Sequence, residues 1–263
     1  MKFLFIGDIF GKKGIQACQE RIKKIKSQYK IDVVIANAEN CTSCRGLSIA
    51  DYQLLSQAGI DYFTMGNHTW KQKDWEEMLK QNNVVRPINI NPSCPQASVG
   101  VGTLVFKYKN TSVRLTNILG NTVYMNDENF LTNSFASLKA LLPAVKEDIH
   151  IVDLHAETTS EKNAFLSEFS GQVSAILGTH THVQTNDQKI YNNTVYITDV
   201  GMTGPSHGII GGEPSSIIEM FEGKSHRFKL NEDNSSYQFN AVVLEFDKKN
   251  KPIDIKNIVI YEK

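Results

Sequence analysis

Short apolar runs alternate with amphipathic stretches along the first third of the chain. Lys2–Ile6 is an apolar run that ends at Gly7, and from Gly14 to Tyr29 the apolar residues recur at helical spacing. The pattern recurs twice more, with strands predicted at Val33–Ala36 and Tyr62–Thr64 and helices at Ile49–Gln57 and Trp75–Leu79. This alternation predicts an α/β fold in which helices cover a largely parallel sheet.

The pattern changes after Val101. Leu104–Phe106 and Val113–Thr116 alternate like antiparallel strands around a turn at residues 109–110, which predicts a second sheet. The elements predicted after these are a helix at Phe130–Val145, a strand at Ile149–Leu154, a helix at Ser160–Phe169 capped by Ser160, strands at Ala175–Leu177 and Val195–Thr198, a helix at Ser216–Phe221, and strands at Phe239–Phe246 and Ile253–Tyr261. The glycine-rich stretch Gly201–Gly212 is interpreted as a rim of the functional site. Because no repeat or linker divides residues 1–263, the sequence predicts one domain with two packed sheets.

Composition and charge disfavour several classes of function. The 28 Lys and Arg residues balance the 28 Asp and Glu residues, so no overall positive field attracts nucleic acid or an anionic membrane. No apolar run approaches the roughly 20 residues of a membrane-spanning helix. We therefore expect a cytoplasmic protein with no membrane association and no strong nucleic-acid signal, in which any phosphate-binding group must be local. Assembly into a homo-oligomer stays open as an alternative.

The four cysteines allow one further hypothesis. Cys41 and Cys44 have the spacing of a redox or zinc pair, but no second pair completes a four-thiolate zinc site. A thiol redox protein built on these two residues is the least favoured alternative.

Residues of the types that bind metals follow the predicted strands one after another. They are Asp8 after the first strand, Glu39 and Asn40 after the second, Asn67 and His68 after the third, His155 at the end of the fourth, and His180 and His182 after the fifth. Each alone has an ordinary explanation in helix capping or turn chemistry. Because parallel strands end at the same edge of a sheet, we expect the whole set to converge. Oxygen ligands mixed with imidazoles suit divalent ions such as Mn, Fe, Zn, Co or Ni, and the number of candidates favours two ions.

The order of these motifs resembles the calcineurin-like metallophosphoesterase superfamily. The motifs are Gly7-Asp8, Glu39-Asn40, Gly66-Asn67-His68, an isolated His155 and Gly178-x-His180-x-His182, and they span nearly the whole chain. The segments Gly-Asn-His-Thr-Trp and Asp-Leu-His-Ala-Glu are similar to the bacterial YmdB-like branch, which is associated with cyclic-nucleotide phosphodiesterase activity. The resemblance implies a four-layer α-β-β-α sandwich of two mixed sheets.

The resemblance also implies a role for each residue. One ion would be held by Asp8, Glu39, Asn40 and His182, and the other by Glu39, Asn67, His155 and His180, so that Glu39 bridges the pair. Fe, Mn and Zn are the foremost candidates for the two ions, and His68 would lie beside them as a proton donor. Two features depart from the superfamily. Phe10 stands where a ligating His is usual, which makes Asn40 the implied substitute, and the bridging residue is Glu39 rather than Asp.

The implied reaction is hydrolysis of a phosphodiester, with a cyclic nucleotide or another small phosphate ester as substrate. Two ions about 3.5–4 Å apart lower the pKa of a shared water from roughly 15.7 towards 7, so a hydroxide that bridges the metals would attack phosphorus. His68 would protonate the departing alkoxide, and Arg45 is a candidate partner for a phosphate oxygen. A phosphomonoesterase or nucleotidase using the same site, and a non-catalytic metal-binding regulatory protein, stay open as alternatives.

Overall fold

Two mixed β-sheets face each other, and helices cover the outer face of each. The computed structural model describes residues 1–231 and 236–262. Within these residues the first sheet consists of β1 (Lys2–Ile6), β2 (Asp8–Ile9), β3 (Val33–Asn37), β4 (Tyr62–Thr64), β5 (Val84–Val85), β12 (Met202–Pro205), β13 (Tyr237–Phe246) and β14 (Pro252–Tyr261). The second sheet consists of β6 (Thr103–Tyr108), β7 (Thr111–Leu119), β8 (Ile149–His155), β9 (Ala175–Thr179), β10 (Lys189–Tyr191) and β11 (Thr194–Ile197).

The α-helices lie between the strands in the sequence. They are α1 (Gly11–Tyr29), α2 (Ile49–Ala58), α3 (Trp75–Leu79), α4 (Ser134–Leu141), α5 (Thr159–Phe169) and α6 (Pro214–Phe221), with short 3-10 helices at Thr42–Cys44, Pro95–Ser98 and Leu142–Ala144. In the described part of the chain, no helix combines the length and the apolar composition that crossing a membrane requires.

Each sheet has a parallel centre and antiparallel margins. In the first sheet β1, β3, β4 and β5 run parallel in that order, and β13 pairs antiparallel with β1. In the second sheet β7, β8, β9 and β11 run parallel, and β6 and β10 close the two edges as antiparallel strands. Parallel pairing requires the chain to return outside the sheet, which is the path that the helices provide.

The alternation of side chains along β1 shows how the layers are separated. Leu4 and Ile6 pack with Ile22 of α1 on the outer face, while Phe3 and Phe5 enter the apolar layer between the two sheets. Successive side chains of a strand point to opposite faces, so a strand buried on both sides is apolar at every position.

The second sheet repeats this arrangement. Ile151 of β8 packs into the layer between the sheets, and Val152 packs with Phe165 and Phe169 of α5 on the outer face. The three apolar layers account for the α-β-β-α sandwich and confirm the fold class expected from the sequence.

Three predictions of local structure were wrong at their boundaries. The helix expected from Phe130 begins at Ser134, because the side chain of Asn133 accepts the backbone N–H of Ala136 at 3.0 Å and caps it. Helix α5 is capped by Thr158 rather than Ser160. Thr158 has the extended backbone of a cap residue, and its hydroxyl accepts the N–H of Glu161.

The glycine-rich stretch Gly201–Gly212 is also not a loop throughout. Met202–Pro205 is a buried strand that pairs in parallel with Asp8–Ile9 and antiparallel with β13. Gly201, with a φ angle of 85°, makes the turn that returns the chain to the first sheet. Met202–Pro205 therefore does not belong to a loop, and the rim stays a prediction for the residues after Pro205.

Candidate metal centre

The tightest cluster of ligand-type atoms surrounds one ring nitrogen of His155. Its Nε2 atom lies 3.0 Å from Asn67 Oδ1, 3.0 Å from His180 Nδ1 and 3.2 Å from Glu39 Oε1. Bonds of roughly 2.0–2.2 Å to a metal put neighbouring ligand atoms about 3–3.5 Å apart. The distances from His155 Nε2 to the other three atoms therefore fit the ligands of one transition-metal ion, and the ligand atoms of Glu39, His155 and His180 all lie within 4.8 Å of one another.

Buried hydrogen bonds determine which nitrogen of His155 faces the cluster. Thr179 Oγ1 donates to Asp153 Oδ1 at 2.7 Å, so it accepts from the His155 Nδ1–H that lies 2.9 Å away. Asn37, at the end of β3, donates to the other oxygen of Asp153 at 3.0 Å. Because its proton is held on Nδ1, neutral His155 turns the lone pair of Nε2 towards the cluster.

Two neighbouring histidines, His180 and His182, are oriented in the same manner. His180 donates through Nε2 to Glu157 Oε2 at 2.8 Å, which leaves Nδ1 free to face His155. His182 donates through Nδ1 to the backbone carbonyl of Ile210 at 2.9 Å, which leaves Nε2 free. In its neutral form each imidazole thus directs one unprotonated nitrogen inwards, which is the form in which histidine binds a metal.

A second, looser group of ligand-type atoms adjoins the first. Asp8 is fully buried, and its Oδ1 atom has no hydrogen-bond partner among the described residues. This atom lies 3.9 Å from His182 Nε2, and Asn40 Nδ2 lies 3.3 Å from the same nitrogen. A half-turn of the Asn40 amide would exchange its nitrogen and oxygen and place Oδ1 in the position of Nδ2, beside His182. A buried carboxylate oxygen without a donor is costly, and a cation at this place would offset the cost.

Glu39 links the two groups. Its Oε1 faces His155 and lies 2.9 Å from Asn40 Nδ2, and its Oε2 accepts the backbone N–H of His68 at 2.7 Å. Burial acts to raise the pKa of Glu39, but the charge on protonated His155 holds that pKa well below its ordinary value. Burial acts to lower the pKa of His155, which Glu39 nevertheless raises to about 9. The carboxylate thus retains a proton on His155, and a bound cation would replace that proton.

The turn that carries His180 and His182 has a strained backbone. Their φ angles are 98° and 67°, in a region that residues with a side chain rarely adopt. Asp8 Oδ2 accepts the backbone N–H of His180 at 3.0 Å, and a fully buried ion pair, Lys162 with Asp199, holds both sides of the turn. Lys162 Nζ donates to Asp199 Oδ2 at 2.7 Å and to the Thr179 carbonyl at 2.8 Å, and Asp199 Oδ2 accepts the Thr181 N–H at 3.1 Å. These contacts position the two histidines.

Gly66 allows the backbone of the third motif to approach the cluster. A Cβ atom at this position would lie 2.4 Å from Glu39 Oε2 and 2.5 Å from His155 Nε2. Any side chain would overlap with ligand atoms, so glycine is required before Asn67 and His68 can reach their places.

A cleft of about 280 Å³ adjoins these groups and is lined by Arg45, His68, Phe10 and Phe228 among others. The Nδ1 atom of His68 is buried and has no partner among the described residues. Burial lowers the pKa of this imidazole, although the charge of Glu39 acts to raise it. The ring therefore borders the cleft without a hydrogen bond at Nδ1 among the described residues.

The cysteine pair lacks the acidity that redox chemistry requires. Cys41 and Cys44 are free thiols. Burial raises the pKa of Cys44 to about 12 and that of Cys41 well above its ordinary value. Because the thiolate is the reactive form, this weighs against the thiol redox hypothesis.

The structure brings together every site residue singled out in the sequence. They are Asp8, Glu39, Asn40, Asn67, His68, His155, His180 and His182. They converge from two facing sheets, however, and not from one edge of a single sheet as expected. Phe10, at the position where the resemblance implies a ligating histidine, places its ring edge-on to His182 with 5.5 Å between ring centroids.

Sequence reasoning missed the residues that support the ligands. Asp153 lies two residues before His155, and Asp199 lies two residues after the strand Thr194–Ile197, so their position near strand ends was a usable signal. The position of Lys162 gave no such signal, because a lysine within an amphipathic helix is ordinarily exposed.

Comparison with known proteins gives a consistent result. A family model described as YmdB-like protein matches residues 4–258. A Mycoplasma genitalium protein, provisionally named a phosphatase/phosphodiesterase, is 46% identical over 265 residues, which cover 99% of this chain and 93% of that protein. A Bacillus subtilis protein named 2′,3′-cyclic-nucleotide 2′-phosphodiesterase is 37% identical over 266 residues, which cover 99% of this chain and 97% of that protein.

A solved structure agrees with these relatives. The crystal structure of a protein from Mycoplasma pneumoniae, described as a novel phosphatase, matches with a TM-score of 0.95 and 42% sequence identity. The match covers 99% of this chain and 93% of that one.

Proposed function

Since the chain belongs to the YmdB-like family of metallophosphoesterases, we propose that it uses two divalent metal ions to hydrolyse phosphodiesters, with cyclic nucleotides as the substrate class. The observation that carries the proposal is the convergence of ligand atoms on two adjoining places. The first is surrounded by Glu39, Asn67, His155 and His180, and the second by Asp8, Asn40 and His182. In its neutral form each of these histidines directs an unprotonated nitrogen inwards. The name of the Bacillus subtilis relative supports the choice of substrate class.

The donor set indicates which ions would fit. Carboxylate and carboxamide oxygens combined with imidazole nitrogens suit Fe, Mn or Zn, and Glu39 is placed to serve both ions. When bound, such ions supply positive charge to the phosphoryl oxygens and make hydroxide available at neutral pH.

The protein's own residues then act on the substrate. Arg45 lines the cleft and is placed to pair with a phosphate oxygen, for which a guanidinium is well suited. His68 donates a proton to the leaving oxygen, because an alkoxide is a poor leaving group without one. An anionic substrate beside His68 favours the charged imidazole, which opposes the effect of burial.

Elemental analysis and a substrate panel test this proposal. Protein purified without added metal should contain close to two equivalents of transition metal per chain, and a chelator should remove metal and activity together. The panel contains 2′,3′- and 3′,5′-cyclic nucleotides, bis-p-nitrophenyl phosphate and p-nitrophenyl phosphate. Faster turnover of the diesters supports the proposal. Faster turnover of the monoester indicates a phosphomonoesterase, and metal without turnover of any compound indicates a regulatory protein.

A ligand variant strengthens the same test. His180→Ala should lose about one equivalent of metal, and its rate should fall by more than the roughly 10- to 100-fold that loss of an outer partner causes. His226→Ala is the matched control, because this histidine is exposed and does not line the cleft. A His180→Ala protein with both ions and the full rate would contradict the ligand assignment.

A further inference from the structure

A second cavity, of about 420 Å³, adjoins the cleft. His182 and Ile210 line both spaces. The remaining walls come from the segment after His182, from the residues around the end of β12, and from β13 and β14. Its volume lies within the range of about 300–1,000 Å³ that is common for sites binding small molecules.

The lining of this cavity is polar but carries little charge. The described residues that form it include no Asp, Glu, Lys or Arg, and the one titratable group besides Tyr261 is His182. Most of the polar lining consists of the carboxamides of Gln184, Asn186, Gln238, Asn240 and Asn257. The amide nitrogens of Gln184, Gln238 and Asn257 donate to protein oxygens, so these three side chains offer a ligand their carbonyl oxygens. Such a lining suits a neutral ligand with hydrogen-bond donors of its own, and does not suit a phosphate.

Two of these carboxamides have an oxygen that lacks a hydrogen-bond partner among the described residues. Asn240 is only 3% exposed, so its unpaired Oδ1 is withdrawn from bulk water. Asn257 donates through Nδ2 to the Thr185 carbonyl at 3.0 Å and to Gln188 Oε1 at 3.2 Å, which leaves its Oδ1 as the free acceptor. A buried acceptor without a donor is costly, and a small rotation of either amide towards the cavity would let the N–H group of a ligand satisfy it.

An aromatic side chain lies at the same cavity. Tyr261, at the end of β14, is 63% exposed and lines the space together with Val259. Exposed tyrosine rings are surfaces on which planar heterocycles stack. A flat ring with N–H donors, able to stack on a tyrosine and pair with carboxamides, describes a nucleobase.

We propose that this cavity binds the nucleobase of the substrate while the phosphate ester occupies the adjoining cleft. The inference rests on the proposed phosphodiesterase function and specifies its substrate as a nucleotide. Because the free groups of Asn240 and Asn257 are acceptors, the cavity favours bases with an exocyclic amino group, such as adenine, over uracil.

Kinetics on matched substrates test the proposal. The measured quantity is the ratio of kcat/KM for 2′,3′-cyclic AMP to kcat/KM for bis-p-nitrophenyl phosphate, which has no base. Asn240→Ala and Tyr261→Ser should each lower this ratio about tenfold, mainly through a higher KM for the nucleotide. Asn240→Ala should also reduce the preference for 2′,3′-cyclic AMP over 2′,3′-cyclic UMP. Tyr124→Ser is the control, because Tyr124 is 81% exposed and lines neither space.

Adenosine binding separates this inference from the proposed function. Saturation-transfer NMR should detect adenosine on the unsubstituted protein and a weaker signal on Tyr261→Ser, whose exposed site carries little risk to folding. If no phosphodiester is hydrolysed, the proposed function fails, and adenosine binding alone then decides the subsite. An unchanged kinetic ratio, or adenosine binding that survives both substitutions, overturns the proposal.

Discussion

His68 differs from its neighbours in that its contribution should depend on the leaving group. Its ring lines the cleft, and its Nδ1 atom has no partner among the described residues, so the ring is not committed to a structural hydrogen bond through that atom. We expect His68→Ala to lower the turnover of a 2′,3′-cyclic nucleotide by roughly 10²–10⁴-fold. Turnover of bis-p-nitrophenyl phosphate should fall much less, because p-nitrophenolate departs without a proton. Steady-state kinetics on the two substrates measure the difference.

The metal content of the His68→Ala protein provides the control. We do not place this ring among the ligands, so elemental analysis should give the same metal content as for the unsubstituted protein. Equal losses on both substrates would remove His68 from the role of acid, and loss of metal would make it a ligand.

At the scale of elements, the buried pair formed by Lys162 and Asp199 joins helix α5 to the strained turn after β9. Lys162→Met would leave a buried carboxylate unpaired, so the free energy of unfolding should fall by about 3–5 kcal/mol. The double variant Lys162→Met with Asp199→Asn should recover part of that loss, because neither position then carries a buried charge. Both proteins should bind metal roughly 10- to 100-fold more weakly, since the turn with His180 loses an anchor. Urea denaturation and metal titration calorimetry measure the two effects.

An exposed ion pair that involves the same helix serves as the comparison. Lys139 contacts Glu168 of α5 at 2.6 Å, and both side chains are about half exposed. Lys139→Met should therefore change the free energy of unfolding by less than about 1 kcal/mol and leave metal affinity unaltered. If the double variant bound metal as tightly as the unsubstituted protein, the buried pair would have no positioning role.

The elements also show what a sequence can and cannot predict here. The helix Trp75–Leu79 and the strand Tyr62–Thr64 have the predicted bounds, because the spacing of their own apolar residues sets them locally. The helix predicted from Phe130 begins four residues later, at Ser134, because the cap formed by Asn133 sets its start and the apolar pattern before it does not. Ligand-type residues at strand ends were visible for the same local reason. The burial of Lys162 could not be predicted in this way, because it depends on contacts with residues distant in the sequence.

At the scale of the whole molecule, the candidate centre lies where the two sheets meet. Asp8 and Glu39 come from segments of the first sheet, and His155 and His180 from the second. The hydrogen bond between Asn37 and Asp153, at 3.0 Å, also joins the two sheets. An ion held by ligands from both sheets binds the folded chain and not the unfolded one, in which these residues are far apart.

Removing metal should therefore lower the stability of the whole protein. Metal at 100 times its dissociation constant stabilises the folded state by about 2.7 kcal/mol per site, and for a chain of this size 1 kcal/mol shifts Tm by roughly 2–4 °C. We expect a chelator to lower Tm by about 5–10 °C for each ion removed, as measured by scanning calorimetry. The His180→Ala protein should respond less, since it already lacks a ligand, and His226→Ala should respond fully. If metal can be removed from the unsubstituted protein with no change in Tm, the ions do not join the two sheets, and the ligand assignment across them is wrong.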